Sequence, residues 1–386
     1  MLFSYEMLDE DENRVLERIS QLRHELRFFV QQEPRRWTGL LARMTRARAL
    51  RASNSIEGIH VSDEDAIAAI DGEDASDADR PTWRSVTGYH AAMDYVLQRC
   101  RDPEFKFSTD VILAIHFMIC QHDLKANPGN FRAGWVGVRN TQTGQVVHEG
   151  VDRDMLEPLV VELVQYMNSL VAGPEIIKAA MTHLNFAMLH PFSDGNGRTA
   201  RCLQTAVLTR EKIIAPVFSS IEEYIGLHQQ DYYNVLAQVG GGGWNPSRDC
   251  KPWIRFCITG HYLQAQTLLR RTRETERIYG ELERLVTDRG LHERTALALV
   301  ESAFGRRVRN ASYRISADVS NNLASRDLKA LVDAGLLVSE GEKRGRHYVA
   351  SDQVRKIRQQ HRLPKQVEDP FSVLRQGWLF GMSPQL

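Results

Sequence analysis

The stretch His190-Pro191-Phe192-Ser193-Asp194-Gly195-Asn196-Gly197-Arg198 brings an imidazole, a carboxylate, two glycines, an amide and a guanidinium into one short string. Phosphate chemistry draws on this set. Glycines let backbone N–H groups approach an anion closely. A carboxylate can hold Mg²⁺, an arginine forks onto phosphate oxygens, and a histidine takes a proton near neutral pH.

The flanks give the string its setting. Upstream, Ile176 to Leu189 has apolar residues at Ile177, Ala180, Met181, Leu184, Met188 and Leu189, a helical period. Downstream, Arg198 to Arg210 repeats that period through Ala200, Cys202, Leu203, Ala206 and Val207. Gly195-Asn196-Gly197 therefore leads into a helix N-terminus, where free N–H groups and the helix dipole favour an anion. His190, at the end of the first helix, can face the same spot. A bare Gly-x-Gly reads as an ordinary glycine-rich cap, whereas the whole string between two helices predicts a phosphate site.

With Arg201 added, the string resembles the signature of the Fic (Fido) family, HPFx(D/E)GNGRxxR, and matches it throughout. The resemblance implies a mostly α fold, with a helical Fic core and a β-hairpin flap, and transfer of AMP from ATP to a protein hydroxyl. Gly197 favours AMP transfer, because the related Doc-type phosphotransferases usually carry Lys or another residue there. On the matching positions the resemblance implies that His190 is the base and that Asp194 holds Mg²⁺. It likewise implies that Gly195, Asn196, Gly197, Arg198 and Arg201 hold the ATP phosphates, with Phe192 anchoring the loop. After Asn130-Phe131-Arg132, the segments Val136-Gly137-Val138 and Gln145-Val146-Val147 read as a hairpin around Thr143-Gly144. In the family such a flap docks the target segment by strand addition. A Pro-rich turn often follows it; here the turn is His148-Glu149-Gly150. Tyr232-Tyr233 resembles a tyrosine pair that lines the nucleotide pocket, and two aromatics packing a helix explain it equally. The resemblance spans roughly residues 40 to 260.

A second motif lies upstream. Leu40 to Glu57 reads as a basic amphipathic helix, with Gly58 as its left-handed cap. Ser53 and Glu57 are spaced i, i+4 and share a face. On its own Glu57 is a solvated glutamate in a last turn, slightly disfavoured there by the helix dipole. Beside the signature, Ser53-Asn54-Ser55-Ile56-Glu57-Gly58 resembles the family's inhibitory motif, (S/T)xxxE(G/N), in the class that carries it N-terminal to the core. That resemblance implies that Glu57 pairs with Arg201 and occupies the space the γ-phosphate needs.

The chain has 386 residues, enough for two or three domains. Its net charge is zero, so no global field points to nucleic acid or membrane. No apolar run approaches a membrane span, and the N-terminus lacks the basic start and apolar core of a signal peptide. Cys100, Cys120, Cys202, Cys250 and Cys257 are odd in number and never form CxxC, which suggests reduced thiols in a cytoplasmic protein. Cys202, beside the signature, reads as a buried core thiol.

The expected organisation is an N-terminal helical segment over 1–100, the Fic core over 101–265, a helical connector over 266–289, a winged helix-turn-helix over 290–362 and a tail over 363–386. Within it, residues 10 to 33 read as a charged helix and 71 to 79 as an acidic loop, after which Pro81 starts a helix. Asn127-Pro128-Gly129 breaks the helices before the flap, and Gly240-Gly241-Gly242-Gly243 reads as a flexible break. From 291 to 360 there are 13 Lys and Arg against 8 Asp and Glu, a net +5. This segment orders helix, short turn, helix and basic hairpin, which resembles a winged helix-turn-helix. Asn322, Ser325, Arg326 and Lys329 form one polar face, and Leu328, Leu331 and Val332 lie on another. Such a face suits a DNA major groove, with Lys343, Arg344 and Arg346 reaching phosphates. A solvated face on a protein-interaction module is the alternative.

The combined expectation is a protein adenylyltransferase that uses ATP and Mg²⁺, restrained by Glu57, and acts on a Ser, Thr or Tyr hydroxyl of another protein or of itself. Removal of AMP at the same site is an alternative, and so is a DNA-binding regulator that uses the core as a nucleotide sensor. Similar family members often dimerise, so a homodimer is expected by analogy.

Overall fold

The computed structural model describes residues 1–5, 7–32, 36–75, 77–139, 144–170, 173–212, 215–342, 345–365 and 369–372. Thr143 of the hairpin tip, Ser76 of the acidic loop, Lys343 and Arg344 lie outside these residues, as do 366–368 and 373–386 of the tail.

The molecule is mostly helical. Helix α1 (Glu10–Arg27) starts with a capping box between Asp9 and Glu12 and continues as a five-residue π segment, Phe28–Gln32. The helix expected over 10–33 therefore changes pitch before its end. Next come α2 (Arg36–Ile56) and α3 (Asp63–Asp71), the latter capped by Ser62 and closed by left-handed Gly72. Helix α4 (Arg80–Arg99) has Asp79 as N-cap and Pro81 in its first turn, where a missing N–H costs nothing. Helix α5 (Thr109–Cys120) follows.

Strands β1 (Gly137–Arg139) and β2 (Val146–Glu149) form the expected antiparallel hairpin, with a register irregularity between Val138 and Arg139. Helices α6 (Arg153–Asn168), α7 (Glu175–Leu189) and α8 (Asn196–Leu208) follow, then α9 (Glu222–Leu227) and α10 (Gln229–Gly240). The four glycines after Tyr232 and Tyr233 are not simply a flexible break. Gly241 ends α10, but Gly242 and Gly243 form β3, which pairs in parallel with His148 and Glu149 of β2. Side chains are not needed for a ladder, so the glycines complete a three-stranded sheet of order β1-β2-β3.

Helix α11 (Lys251–Asp288) is 38 residues long and continuous, so the boundary expected at 265/266 falls inside it. Beyond it lie α12 (Ala296–Ala303), α13 (Asn310–Ala317), α14 (Asn321–Asp333), the antiparallel hairpin β4 (Leu337–Glu340) and β5 (His347–Ala350), and α15 (Asp352–His361). Val308 adds a bridge to Tyr348, so a third short segment flanks this hairpin.

Two main cores form. The first gathers α1, α4 to α8 and the start of α11 around Phe186, Phe192, Leu203 and Trp253. The second joins Trp37, Leu40, Leu41 and Met44 of α2 to Ile278, Leu282 and Val286 of α11 and to Leu297, Tyr313, Leu328 and Leu331 of the C-terminal unit. All five cysteines are free thiols, with Cys202 fully buried. No helix among the described residues is long and apolar enough to cross a membrane.

Candidate active site

The loop between α7 and α8 is built by local necessity. His190 is the left-handed C-cap of α7, with φ 50°, and its N–H bonds the Phe186 carbonyl. Gly195 is the N-cap of α8 with φ 76°, and a Cβ there would press on the Cys120 Sγ and His116 ring. The Asn196 side chain folds back on the loop. Its Oδ1 accepts from the Phe192 N–H at 2.9 Å, and its Nδ2 donates to the Phe192 carbonyl at 2.8 Å. The Asn196 side-chain amide thus braces the loop, while its backbone N–H lies at the start of α8.

Groups far away in sequence hold this loop. Phe192 is fully buried and stacks on His116 with centroids 3.6 Å apart. His116 Nδ1 accepts from the Gly129 N–H at 3.0 Å, so Nε2 carries the proton and donates to the Asp194 carbonyl at 3.1 Å. Burial holds this imidazole down to about 4. Arg132 Nε donates to the His190 carbonyl at 2.9 Å, and its other nitrogens reach the Gly134 and Val151 carbonyls. One guanidinium thus ties the flap's two ends to the loop. Of the two, the sequence marks only Arg132, and gives it no role. His116 sits on an apolar stripe with Ile112, Ile115 and Ile119, a pattern that reads as core.

His190 Nδ1 lies 3.3 Å from the Ala187 carbonyl. A carbonyl only accepts, so Nδ1 carries the proton and Nε2 keeps its lone pair. Burial lowers this histidine to about 4, so it is neutral at pH 7 and free to take a proton. The flap packs close, since a Cβ on Gly150 would meet His190 Cβ at 3.2 Å.

Across the N-terminus of α8 stand two buried guanidiniums. Arg198 donates to Ser85 Oγ at 2.8 Å and to Asp194 Oδ2 at 3.3 Å. Arg201 donates from Nε to Ser53 Oγ at 2.7 Å, and from Nη2 to the Ser53 carbonyl at 3.0 Å and Glu57 Oε1 at 2.7 Å. Glu57 raises the Arg201 pKa against the opposing effect of burial. The Glu57 carboxylate rests over Gly197, where any Cβ would collide with it. Its helix ends as the Gly58 cap requires, with φ 76° and the Ile59 N–H bonded to the Asn54 carbonyl at 3.1 Å.

The tyrosine pair divides. Tyr232 is buried, and its hydroxyl contacts His183 Nε2 at 3.0 Å, while His183 Nδ1 donates to Gln204 Oε1 at 2.5 Å. Tyr233 is half-exposed and donates to the Ile56 carbonyl at 2.8 Å, beside Gln229 at 2.9 Å. It thereby caps the last carbonyl of α2.

The residues fit a nucleotide. Arg198 Nε and Arg201 Nη1 are buried without a hydrogen-bond partner, and phosphate oxygens are acceptors of the right charge. Among the described residues no three His, Cys, Asp or Glu side chains gather as a metal-binding group. The Asp194 side chain is 61% exposed, and one accessible carboxylate suits Mg²⁺, which keeps waters and takes phosphate oxygens.

In the C-terminal unit, Asn322, Ser325, Arg326, Lys329 and Arg346 are exposed, while Leu328 and Leu331 are buried and Val332 partly so. Asp327 is turned inward, held by Arg294 at 2.7 Å and Tyr313 at 2.9 Å.

A helix, a left-handed histidine, a glycine turn and a second helix bearing two arginines make up this candidate site. Residues 106–208 match the model of the Fic/DOC family, and the chain carries a Fic domain over that stretch. The sequence is similar to a protein adenylyltransferase Fic of Nematostella vectensis, 30% identical over 180 residues, covering 44% of this chain and 36% of that protein. It is also similar to a protein adenylyltransferase Fic of Aedes aegypti, 29% identical over 190 residues, covering 49% of this chain and 33% of that one. The chain thus spans about a third of the length of these relatives. In fold it resembles a Fic family protein from Desulfovibrio desulfuricans G20, with TM-score 0.58 and 21% identity over 90% of this chain and 98% of the other. It also resembles Fic-1 (residues 134–508) from C. elegans, with TM-score 0.55 and 20% identity over 67% of this chain and 72% of that one.

Proposed function

We propose that the chain is a protein adenylyltransferase, transferring AMP from ATP to a hydroxyl of a protein. The observation that supports it most is the pairing of a neutral His190, its Nε2 lone pair free, with two partly unsatisfied guanidiniums at the glycine-started N-terminus of α8. ATP phosphates would lie over Gly195 to Gly197, with Arg198 and Arg201 neutralising the outer ones. Asp194 would hold Mg²⁺, which screens phosphate charge when bound. A target segment would add to the open edge of β1, placing a Ser, Thr or Tyr hydroxyl near His190. His190 Nε2 takes the hydroxyl proton as the oxygen bonds to the α-phosphorus. The bond from that phosphorus to the β-phosphate oxygen breaks, and pyrophosphate leaves. Positioning and charge stabilisation supply most of the rate.

Glu57 is the brake in this scheme. Its carboxylate holds an anion's place on Arg201 and above Gly197, so ATP meets an occupied γ-phosphate position. The test is incubation of Glu57→Gly protein with tagged ATP and a lysate of its own cells. Protein labelling above that of the unsubstituted chain supports the scheme, and ATP binding without labelling refutes it.

A second activity has its own support. Ser325 and Lys329 of α14 and Arg346 share a groove with Arg309 and Arg314, which suits the phosphate backbone of duplex DNA. Glu73 and Asp74 line the same groove.

A further inference from the structure

We infer that Arg43 positions the Glu57 brake, and that through Arg43 the C-terminal unit controls the active site. This rests on the role of Glu57 proposed above.

The inference starts from α2, which belongs to two cores at once. Its first half, through Trp37, Leu40, Leu41 and Met44, is embedded in the core of the C-terminal unit. Its second half, through Leu50 and Ile56, is embedded in the core around the active site. Ser53 and Glu57, which contact Arg201, sit at its C-terminal end. An α-helix transmits displacement along its axis well because its hydrogen bonds hold each turn to the next. Arg43 and Ser53 are about 15 Å apart along that axis at 1.5 Å per residue.

Arg43 is where α2 is pinned. It is a buried guanidinium, 8% exposed, on a helix whose other basic residues mostly reach solvent. Its Nε donates to Asp71 Oδ1 at 2.7 Å, and Nη2 bonds the other oxygen of that carboxylate, a bidentate pair with the end of α3. Its Nη1 donates to Ser316 Oγ of α13 at 3.0 Å and lies 3.5 Å from Glu301 of α12. Glu301 and Asp71 are themselves buried, and burial pushes both carboxyls up, so each needs the guanidinium. One side chain of the brake helix therefore joins two buried carboxylates and a hydroxyl from three other helices, two of them in the C-terminal unit. The catalytic chemistry described above makes no use of this cluster.

The consequence is directional. A ligand seated on α13 and α14 that shifts α12 and α13 carries Ser316 and Glu301 with it. Arg43 follows, or its ion pairs break. Either outcome moves α2, and the short contacts of Ser53 and Glu57 to Arg201 at 2.7 Å do not survive an ångström of travel. Asp71 stands only two residues before Glu73, which lines the groove beside α14, so an occupant of that groove acts on the same cluster from the α3 side.

The test uses Arg43→Ala and the milder Ser316→Ala, each in the full chain, with and without Glu57→Gly. Two quantities are read: protein labelling with tagged ATP, and amide hydrogen exchange over residues 50–58. Circular dichroism and thermal unfolding identify which variants fold. The expected result is labelling raised roughly fivefold or more by Arg43→Ala, raised less by Ser316→Ala, and unchanged by either in the Glu57→Gly background. Exchange over 50–58 accelerates in both. The inference is overturned if folded variants label and exchange like the unsubstituted chain. It is overturned equally if they raise labelling as much when Glu57 is already gone, since the effect then bypasses the brake. Should Arg43→Ala not fold, Ser316→Ala decides, because it removes only the hydroxyl's bonds to Arg43 and to the Ser312 carbonyl and leaves the ion pairs. Should Glu57→Gly label nothing, the brake itself fails, and unchanged exchange over 50–58 still overturns the coupling.

Discussion

Glu57 Oε1 lies 2.7 Å from Arg201 Nη2 although 144 residues separate the two in the chain. The contact joins a helix of the N-terminal segment to the last arginine of the catalytic signature. In the proposed scheme it places a tethered anion where a bound nucleotide would need a cation.

Removing that anion is the first prediction. A charge-assisted hydrogen bond of about 1.5–3 kcal/mol corresponds to roughly ten- to hundredfold in occupancy of the competing state. Glu57→Gly should raise AMP labelling by that order. Adding His190→Ala should return labelling to background, measured with tagged ATP on a gel. Labelling that persists without the imidazole contradicts the base assignment.

The pH dependence of labelling follows from His190. Burial places its proton affinity near 4 instead of 6.5, and the base works only when neutral. Labelling by the Glu57→Gly protein should be flat from pH 7 to about pH 5 and fall with a midpoint near 4. A midpoint near 6.5 would show the imidazole to be solvated in the working enzyme.

Stability should vary with pH in a related way. His116, His183 and His190 are held to about 4, 3 and 4 by burial, so the unfolded chain binds their protons first as pH falls below 6.5. Their contribution is complete above 6.5 and is lost as pH falls toward those values. Glu222 opposes them. Burial pushes it up to about 7, so its contribution is present below its ordinary 4.5 and is lost as pH rises toward 7. His90, His122, His148 and His261 are lowered by burial as well, and Asp71, Glu73 and Glu301 are raised by it, so seven histidines oppose four carboxyls and the thermal midpoint should rise between pH 4.5 and 6.5. A flat or falling profile in calorimetry would refute this.

His116→Phe separates packing from hydrogen bonding. The ring can still stack on Phe192, but the Gly129 N–H and the Asp194 carbonyl lose their partners. In the Glu57→Gly background the variant should fold, with kcat lowered roughly ten- to hundredfold, because sub-ångström placement of the loop is what it disturbs. Equal kcat would show that stacking alone holds the loop.

For the second activity, Arg326→Ala with Lys329→Ala should weaken binding of a random-sequence duplex DNA about equally for any sequence. The slope of log affinity against log salt should drop by about one per lost phosphate contact, read by fluorescence anisotropy. Unchanged affinity and slope would remove DNA from the description of this face.

Much of this was legible in the chain. The helical period on both sides of His190 to Arg198 and the glycine after Glu57 are local signals, and local signals survive into the structure because the backbone demands them. Gly195 and Gly58 have the left-handed φ that their cap positions require. What escaped the sequence depends on tertiary contact. His116 reads as one more core residue until Gly129 and Asp194 are seen on either side of its ring. The brace that the Asn196 amide makes across Phe192 is equally unseen in the sequence. The glycines at 242 and 243 carry no side-chain signal for a strand, since the partner strand alone makes them one. Arg43 sits among the basic residues of α2, and only its burial distinguishes it from Arg46 and Arg51.

Helix α11 has a consequence of another kind. Its first half is fixed in one core by Trp253 and Cys257 and its second half in the other by Ile278 and Leu282. A truncation between 266 and 289 would expose apolar surface that no solvent-facing end can cover. The two halves of the protein are therefore expected to melt together, as a single cooperative transition in calorimetry, and neither is expected to fold as a cassette without the other.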